Sequence, residues 1–284
     1  MTETMSEISG AAKSASRVPA ATRTLRVLEV LGSAGGPLTA QAVALKLGIP
    51  RSSTYQLLEV LKGQGYVLHF PEEGRWALGV AAFELGSAYL RHDPLERLAQ
   101  PLLTRLLNEV DSIDPRGFAA VAQLGVLHGS ELLYLLKGTT MTHTRAELRV
   151  VTDLGVRLPA HLTASGRSLL ALQTPAQFAA TYPGKPNAPL DRRTGVGPEN
   201  LGLLRELLAL ERKIGYSTET GSVTEGYSSV AAAAVNHLAI PSAAFAVTFR
   251  TDRVSESGLP ALQKHLGELL QRAARELSKR LGAK

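Results

Sequence analysis

Residues 51 to 56, Arg-Ser-Ser-Thr-Tyr-Gln, gather a guanidinium, several hydroxyls and an amide into one short stretch. Near the N-terminus of a helix these groups can reach phosphate oxygens and base edges without burying an unpaired carboxylate, which is the chemistry of a helix lying in the major groove of DNA. Two other stretches suit a small ligand. Ala164-Ser165-Gly166 falls where a helix should start, so unpaired backbone amides and the positive dipole end would attract an acceptor. The segment from Gly215 to Ser229 carries Glu219, Thr220, Ser222, Thr224 and Ser229 between an expected helix and an expected strand, a supply of polar groups for an otherwise apolar pocket. His128, His143 and His161 are the histidines that would have to converge on a metal. None has an i, i+4 partner on an expected helix or a carboxylate at ligand spacing, so neither metal nor cofactor is expected. No P-loop, dinucleotide fingerprint or nucleophile elbow occurs.

The elements that would position Arg51 to Gln56 can be read from periodicity. Val43, Leu45 and Leu47 lead into Gly48, a residue suited to a tight turn, and Ile49-Pro50 delivers the chain into a second helix. Thr54, Leu57, Leu58 and Leu61 form its inward face, which leaves Arg51, Ser52, Tyr55 and Gln56 outward. Ser52 and Ser53 are assigned to the DNA backbone. A hairpin follows, Tyr66 to Phe70 and Arg75 to Leu78 around Pro71-Glu-Glu-Gly74, and Arg75 at its edge joins the expected DNA contacts. Upstream, Leu25, Leu28 and Leu31 with Val27 predict a supporting helix, and Thr39 is the expected N-cap of the next one. The whole reads as a winged helix-turn-helix over residues 20–80, preceded by a polar arm over 1–19.

Residues 79–90 read as a helix with too few polar side chains for free exposure, so part of it is expected to be an interface. A linker helix is assigned to 81–93 and a second domain to 94–284. There, Pro94 to Val110 predicts a helix with Leu95, Leu98, Leu102, Leu103, Leu106 and Leu107 inward. Phe118 to Leu124 and Glu131 to Leu136 read as strands divided by Gly125 to Ser130, and Gly155 to Ser168 as a broken loop before a helix at Gly166 to Leu172. Pro183 to Asn200 is a polar loop, Leu201 to Ile214 a helix stopped by Gly215, Ser228 to Val235 and Ala243 to Arg250 strands, and Leu259 to Leu281 a closing amphipathic helix. The fold class is α+β, with a central sheet flanked by helices.

The net charge of +6 does not locate the DNA-binding part. Residues 1–90 hold 8 Lys and Arg against 7 Asp and Glu, whereas residues 91–284 hold 23 against 18; the argument rests on the motif and not on bulk charge. With no cysteine there is no disulfide framework and no thiolate metal site. No apolar run approaches the roughly 20 residues that span a bilayer. A cytoplasmic location is expected.

Taken in order, Gly48-Ile-Pro-Arg-Ser-Ser-Thr-Tyr-Gln-Leu-Leu58, Gly65-Tyr-Val67, Arg75-Trp-Ala-Leu-Gly79, Leu158-Pro-Ala-His-Leu-Thr-Ala-Ser-Gly-Arg-Ser-Leu-Leu-Ala171, Gly215-Tyr-Ser217 and Glu225-Gly226 resemble the IclR family of bacterial transcriptional regulators. The resemblance covers Ala20 to Leu281. It implies a winged-helix domain, a linker helix and a GAF-like effector-binding domain with an antiparallel sheet, in a dimer or dimer of dimers. Carried over residue by residue, it implies effector contacts at Ala164 and Ser165, a pocket acid at Glu219, a small polar residue at Ser229, and paired positions Ala246 and Thr248 on the last strand. Gly166 is added from the helix-start argument. Glu219 stands where Asp is frequent, Ser229 where Cys is frequent and Ala246 where a hydroxyl is frequent. Gln56 replaces a usual Arg, and Arg167 a usual Lys.

The expected function is therefore sequence-specific binding to a pseudo-palindromic DNA operator, as a repressor or with a dual role, modulated by a small organic effector. The competing readings are a small-molecule enzyme with an accessory DNA-binding domain, which lacks a catalytic constellation, and an architectural DNA-binding protein without an effector.

Overall fold

A computed structural model describes residues 18–92, 94–113, 119–140 and 150–283. The expected arm over 1–19 lies outside them except for its last two residues, as do Phe118 and His143. The chain divides into two compact units, one ending at His92 and the other beginning at Asp93.

The first unit runs α1 (Pro19–Gly32), β1 (Leu38–Thr39), α2 (Ala40–Leu47), α3 (Arg51–Gly63), β2 (Val67–Phe70), β3 (Arg75–Leu78) and α4 (Val80–His92). Val27, Leu31, Val43, Leu47, Leu58, Leu61, Val67 and Trp76 close its core. Thr39 caps α2 by accepting a hydrogen bond from the Ala42 amide at 3.2 Å, and Gly48 takes the left-handed conformation (φ 65°) that turns the chain toward α3. Thr54 is buried because its hydroxyl donates back to the Pro50 carbonyl at 3.1 Å, which satisfies it inside the core. Leu25, grouped with Leu28 and Leu31 on one face, is exposed, and so is Leu45. Each points away from its helix's buried stripe, which is Val27 and Leu31 on α1 and Ala40, Val43, Ala44 and Leu47 on α2. The two-residue β1, too short for a period, adds an edge to the wing in the order β1-β3-β2.

Wing and α4 are joined by a single residue. The Gly79 amide donates to the Tyr66 carbonyl at 2.8 Å and the Ala81 amide to the Gly65 carbonyl at 3.1 Å. A Cβ on Gly79 would lie 2.2 Å from the Gly65 oxygen, so only glycine permits this approach.

The second unit contains α5 (Pro94–Asp111), β4 (Ala120–His128), β5 (Glu131–Thr139), β6 (Arg157–Pro159), α6 (Ala164–Leu172), α7 (Pro175–Thr181), α8 (Leu201–Ile214), β7 (Ser217–Thr220), β8 (Tyr227–Val235), β9 (Pro241–Arg250) and α9 (Leu259–Arg280). Its six strands form an antiparallel sheet in the order β6-β5-β4-β9-β8-β7. The pleat separates two kinds of side chain on β9. Phe245, Val247 and Phe249 pack into the large core with α5 and α9, whereas Ala244 and Ala246 are small enough to let α6 approach the opposite face.

Several boundaries differ from the sequence reading. β4 and β5 continue through residues 125 to 128 and turn only at Gly129 and Ser130, with Gly125 marking a shift of register. The stretch from Gly155 to Ser168, expected as a loop, holds β6 and the first turns of α6. β7 lies inside the segment from Gly215 to Ser229, where a loop was expected. α7 was missed, although Thr174 and Gln177 form a full capping box. α8 ends where its glycine predicts, at Gly215 with φ 86°. Among the described residues no helix is long and apolar enough to cross a membrane.

Candidate functional site

On α3 the polar face expected to read DNA is presented to solvent. Arg51, Ser52, Tyr55 and Gln56 are exposed and Ser53 is half-buried. Arg51 lies over the Tyr55 ring, 5.6 Å from its centroid, and its Nη2 donates to the Tyr55 hydroxyl at 3.4 Å. These two side chains therefore form one cationic surface at the helix entrance. Arg75 is less free, because its Nη1 donates to the Pro37 carbonyl at 2.8 Å and its Nε lies 3.9 Å from Glu73. Part of its role is to tie the wing to the turn before β1.

The ligand-binding candidates converge in the second unit. Ala164, Ser165, Glu219, Ser229, Ala246 and Thr248 line one cavity, together with Tyr134, Thr152, Thr163 and Val223 among others. Its free space amounts to ≈ 20 Å³, room for about one water and well below the roughly 300–1,000 Å³ of small-molecule sites. β8 and β9 bring Ser229 opposite Thr248, and β7 brings Glu219 opposite Ser229, so register alone sets the three polar side chains in a row.

Glu219 is 5% exposed. Its Oε1 accepts from the Ser229 hydroxyl at 2.7 Å and its Oε2 from the Ser222 amide at 3.0 Å. Burial raises its carboxyl above the ordinary range, while the bond from Ser229 and the charge of Arg167 act against the rise. Ser229 spends its single proton on the carboxylate, so it accepts from the Thr248 hydroxyl 3.0 Å away. This directed row leaves lone pairs of Thr248, rather than a proton, for a bound molecule. On the other side, Ala164 and Ser165 begin α6, where first-turn amides have no intrahelical acceptor. The Tyr134 hydroxyl is hydrogen-bonded to Ser165, and burial followed by the charge of Glu219 pushes its ionisation well above the usual phenol range.

Gly166 does not join the cavity lining. Its amide is taken by the capping Thr163 hydroxyl at 3.0 Å, and a Cβ there would meet the Ala160 oxygen at 2.3 Å. Its place is structural: it lets α6 start against the chain that precedes it. Arg167 is 3% exposed and turned to Glu211 on α8, with Nε 3.1 Å from Oε1, and to the Thr218 carbonyl. That buried pair joins α6, α8 and β7 behind the pocket.

Gln123 was not anticipated. It lies opposite Ala246 in the β4–β9 register, its Nε2 donates to the Thr152 carbonyl at 3.0 Å and touches the Thr152 hydroxyl, and its Oε1 has no partner among the described residues. A backbone carbonyl only accepts, which fixes the amide orientation. Gln123 thereby holds the Val150–Thr152 rim of the cavity. A lone polar residue in an apolar strand was the available signal for it. Tyr134, Thr152 and Val223 were also missed. His161 is engaged structurally, its Nε2 2.8 Å from the Asp191 carbonyl and its Nδ1 3.4 Å from the Tyr182 hydroxyl. Among the described residues no cluster of His, Asp and Glu could hold a metal.

A winged helix-turn-helix joined in one chain to an α+β unit with an enclosed polar pocket defines a ligand-responsive transcriptional regulator. The chain belongs to the IclR family: residues 87–279 match the family model of the bacterial transcriptional regulator IclR C-terminal domain, and residues 20–69 match the IclR helix-turn-helix domain. It is 27% identical over 263 residues to the transcriptional repressor IclR of Escherichia coli K12, covering 92% of this chain and 89% of that protein. It is 26% identical over 262 residues, with the same coverages, to the HTH-type transcriptional repressor AllR of Klebsiella pneumoniae. In fold it is similar to an IclR transcriptional regulator from Alicyclobacillus acidocaldarius (TM-score 0.76, 19% identity, 93% of this chain and 99% of that one). A similar likeness holds to an IclR homolog from Microbacterium hydrocarbonoxydans complexed with 4-hydroxybenzoate (TM-score 0.72, 23% identity, 93% and 100%). The protein is thus a transcriptional regulator with a DNA-binding and an effector-binding domain, and not an enzyme.

Proposed function

We propose that the protein is a cytoplasmic, homodimeric repressor whose hold on a pseudo-palindromic operator is set by a small organic effector bound among Ala164, Ser165, Glu219, Ser229, Ala246 and Thr248. Paired recognition helices require two half-sites related by the protein's two-fold. The exposed apolar face of α4, with Val80, Phe83 and Leu85 in solvent and Phe83 74% exposed, supports a subunit contact there. Arg51, Ser52 and Ser53 serve the phosphates, Gln56 and Tyr55 the base edges, and Arg75 the wing's contact.

The observation that carries the ligand reading is the directed row Thr248, Ser229, Glu219 facing the start of α6 across the cavity. Lone pairs on one side call for a donor on the ligand, and amides on the other call for an acceptor. A buried acid in the same space disfavours a carboxylate ligand. The effector class is therefore a small molecule with a donor end and an uncharged acceptor end, such as a hydroxylated aromatic amide. The test pairs a mobility shift on the DNA upstream of the protein's own gene with thermal unfolding in the presence of matched acids and amides. Specific retardation, relieved or strengthened by an amide that also raises the melting temperature, is expected. Absence of any specific complex overturns the operator reading, and stabilisation by the acids in preference to their amides overturns the ligand class.

A further inference from the structure

The second unit holds another cavity, at the opposite end of α6 from the pocket of Glu219. Arg205, Leu208, Ala209 and Arg212 line it from α8, Phe178 from α7, and Leu170 and Gln173 from the last turn of α6 and its cap. It shares no lining residue with the first pocket. Its free space is ≈ 240 Å³, more than the roughly 150 Å³ of a dry apolar cavity that takes up benzene. Residues 205, 208, 209 and 212 follow the i, i+3, i+4, i+7 spacing of one helix face, so α8 turns two guanidiniums toward the same space. Leu170, Phe178 and Leu208 are buried and make the rest of its wall apolar.

The charge there is one-sided, because the lining contains no acid. Arg205 is exposed, and its guanidinium lies over the Phe178 ring, 5.4 Å from the centroid. Arg212 donates from Nε to the Ala171 carbonyl and from Nη2 to the Gln173 carbonyl at 2.8 Å, which positions its guanidinium without neutralising it. Neither arginine is in an ion pair among the described residues. The Gln173 Oε1 is enclosed and has no partner among those residues, an acceptor that costs the fold until a donor meets it.

We propose that this cavity is a second ligand site, for a small organic phosphate monoester. Its phosphate would lie on Arg205 and Arg212, its organic part against Leu170, Phe178 and Leu208, and a hydroxyl of that part would donate to Gln173. Two guanidiniums call for two negative charges. A phosphate monoester brings nearly that many at neutral pH, with three acceptor oxygens that suit the guanidinium fork, whereas a carboxylate leaves one arginine unmatched. The chemistry is the reverse of the first pocket, where a buried acid disfavours anions. Arg212 is tied to the end of α6, and the first residues of α6 line the first pocket, so the two ligands would act on the two ends of one helix of 9 residues.

Calorimetric titration of the full-length protein with phenyl phosphate, benzenesulfonate and inorganic phosphate separates the contributions. Phenyl phosphate should bind one site per chain. Benzenesulfonate has the ring but a single charge, and inorganic phosphate has the charge but no ring. Each should bind at least about tenfold more weakly, the size of one charge-assisted hydrogen bond. Affinity for phenyl phosphate should fall as pH drops through about 6, where the ester takes up its second proton, since the lining holds no titratable group besides the two arginines. Arg205→Glu should abolish binding. Ala209→Trp, which fills the space and leaves both charges in place, should do the same, with an unchanged melting temperature in the absence of ligand. No binding of phenyl phosphate at millimolar concentration overturns the proposal. So does equal affinity for either comparison anion, which would mark an adventitious ion only, or an affinity that does not fall with pH. Binding that survives either variant overturns it as well, as when the phosphate settles on the cationic surface of α3. The acids and amides that probe the first pocket carry no phosphate, so failure here leaves that reading standing.

Discussion

Arg51, Ser52 and Gln56 stand in solvent on one helix, whereas Glu219, Ser229 and Thr248 come from three strands and are bonded to one another before any ligand arrives. The first surface is a set of nearly independent side chains on a core that does not need them. The second is a network in which each polar group satisfies another, so changing one member alters what the rest present. Substitutions on α3 should accordingly change DNA recognition and leave stability alone, and substitutions around the pocket should move stability and ligand response together.

The largest expected effect is at the buried pair behind the pocket. Arg167→Met leaves Glu211 enclosed without its cation and should destabilise the second unit by about 3–5 kcal/mol, read by chemical unfolding. A loss comparable to that of an exposed ion pair would show that the pocket is not one cooperative network. Gly166→Ala comes next: the Cβ must displace the Ala160 carbonyl, at a cost of roughly 1–3 kcal/mol, and the start of α6 should shift enough to weaken any ligand-induced rise in melting temperature. On the DNA side, Gln56→Ala should lose about 1–3 kcal/mol of discrimination at one or two base pairs with unchanged thermal unfolding. Arg51→Ala should weaken all sequences alike and lower the salt slope by about one. If either α3 variant unfolds the first unit, the contrast between the two sites fails.

The smallest effect is a pH dependence. Burial raises the Glu219 carboxyl in the folded protein above its unfolded value, near 4.5. The stability linked to it is therefore fully present below that unfolded value and lost as pH rises through the folded one. Glu219→Gln does not titrate. Relative to the variant, wild type should lose stability as pH rises from about 4.5, while the other buried acid, Glu211, is common to both and cancels. A difference that stays constant across this range would show that Glu219 does not titrate differently in the folded protein.

The same contrast explains what could be read without the structure. The DNA-facing surface depends on local rules: a capping hydroxyl at Thr39, a left-handed glycine at Gly48, and a period that points Leu58 and Leu61 inward. Each of these is written within a few residues. Leu25 escaped because an i, i+3 spacing with Leu28 and Leu31 drifts off the face that Val27 and Leu31 bury. The pocket depends on strand register, and register pairs residues far apart, as in Gln123 opposite Ala246 or Glu219 opposite Ser229. Ala246 and Thr248 were placed only by resemblance to a family, Thr152 and Tyr134 by nothing local, and Gln123 was marked only as a lone polar residue in an apolar strand. Gly166 shows the reverse case: a helix was expected from it and begins two residues earlier, at Ala164, and the amide credited to a ligand already serves the Thr163 cap.

The junction at Gly79 has a mechanical consequence. A loop of several residues between the wing and α4 would act as a slack coupling and absorb a rotation of the helix. Here the helix is pinned to the strand pair at two successive carbonyls, Gly65 and Tyr66, with no room for even a methyl group between them. The wing therefore behaves as a lever fixed rigidly to the end of a shaft, and a twist applied along α4 reaches the wing tip as displacement and not as bending at the joint.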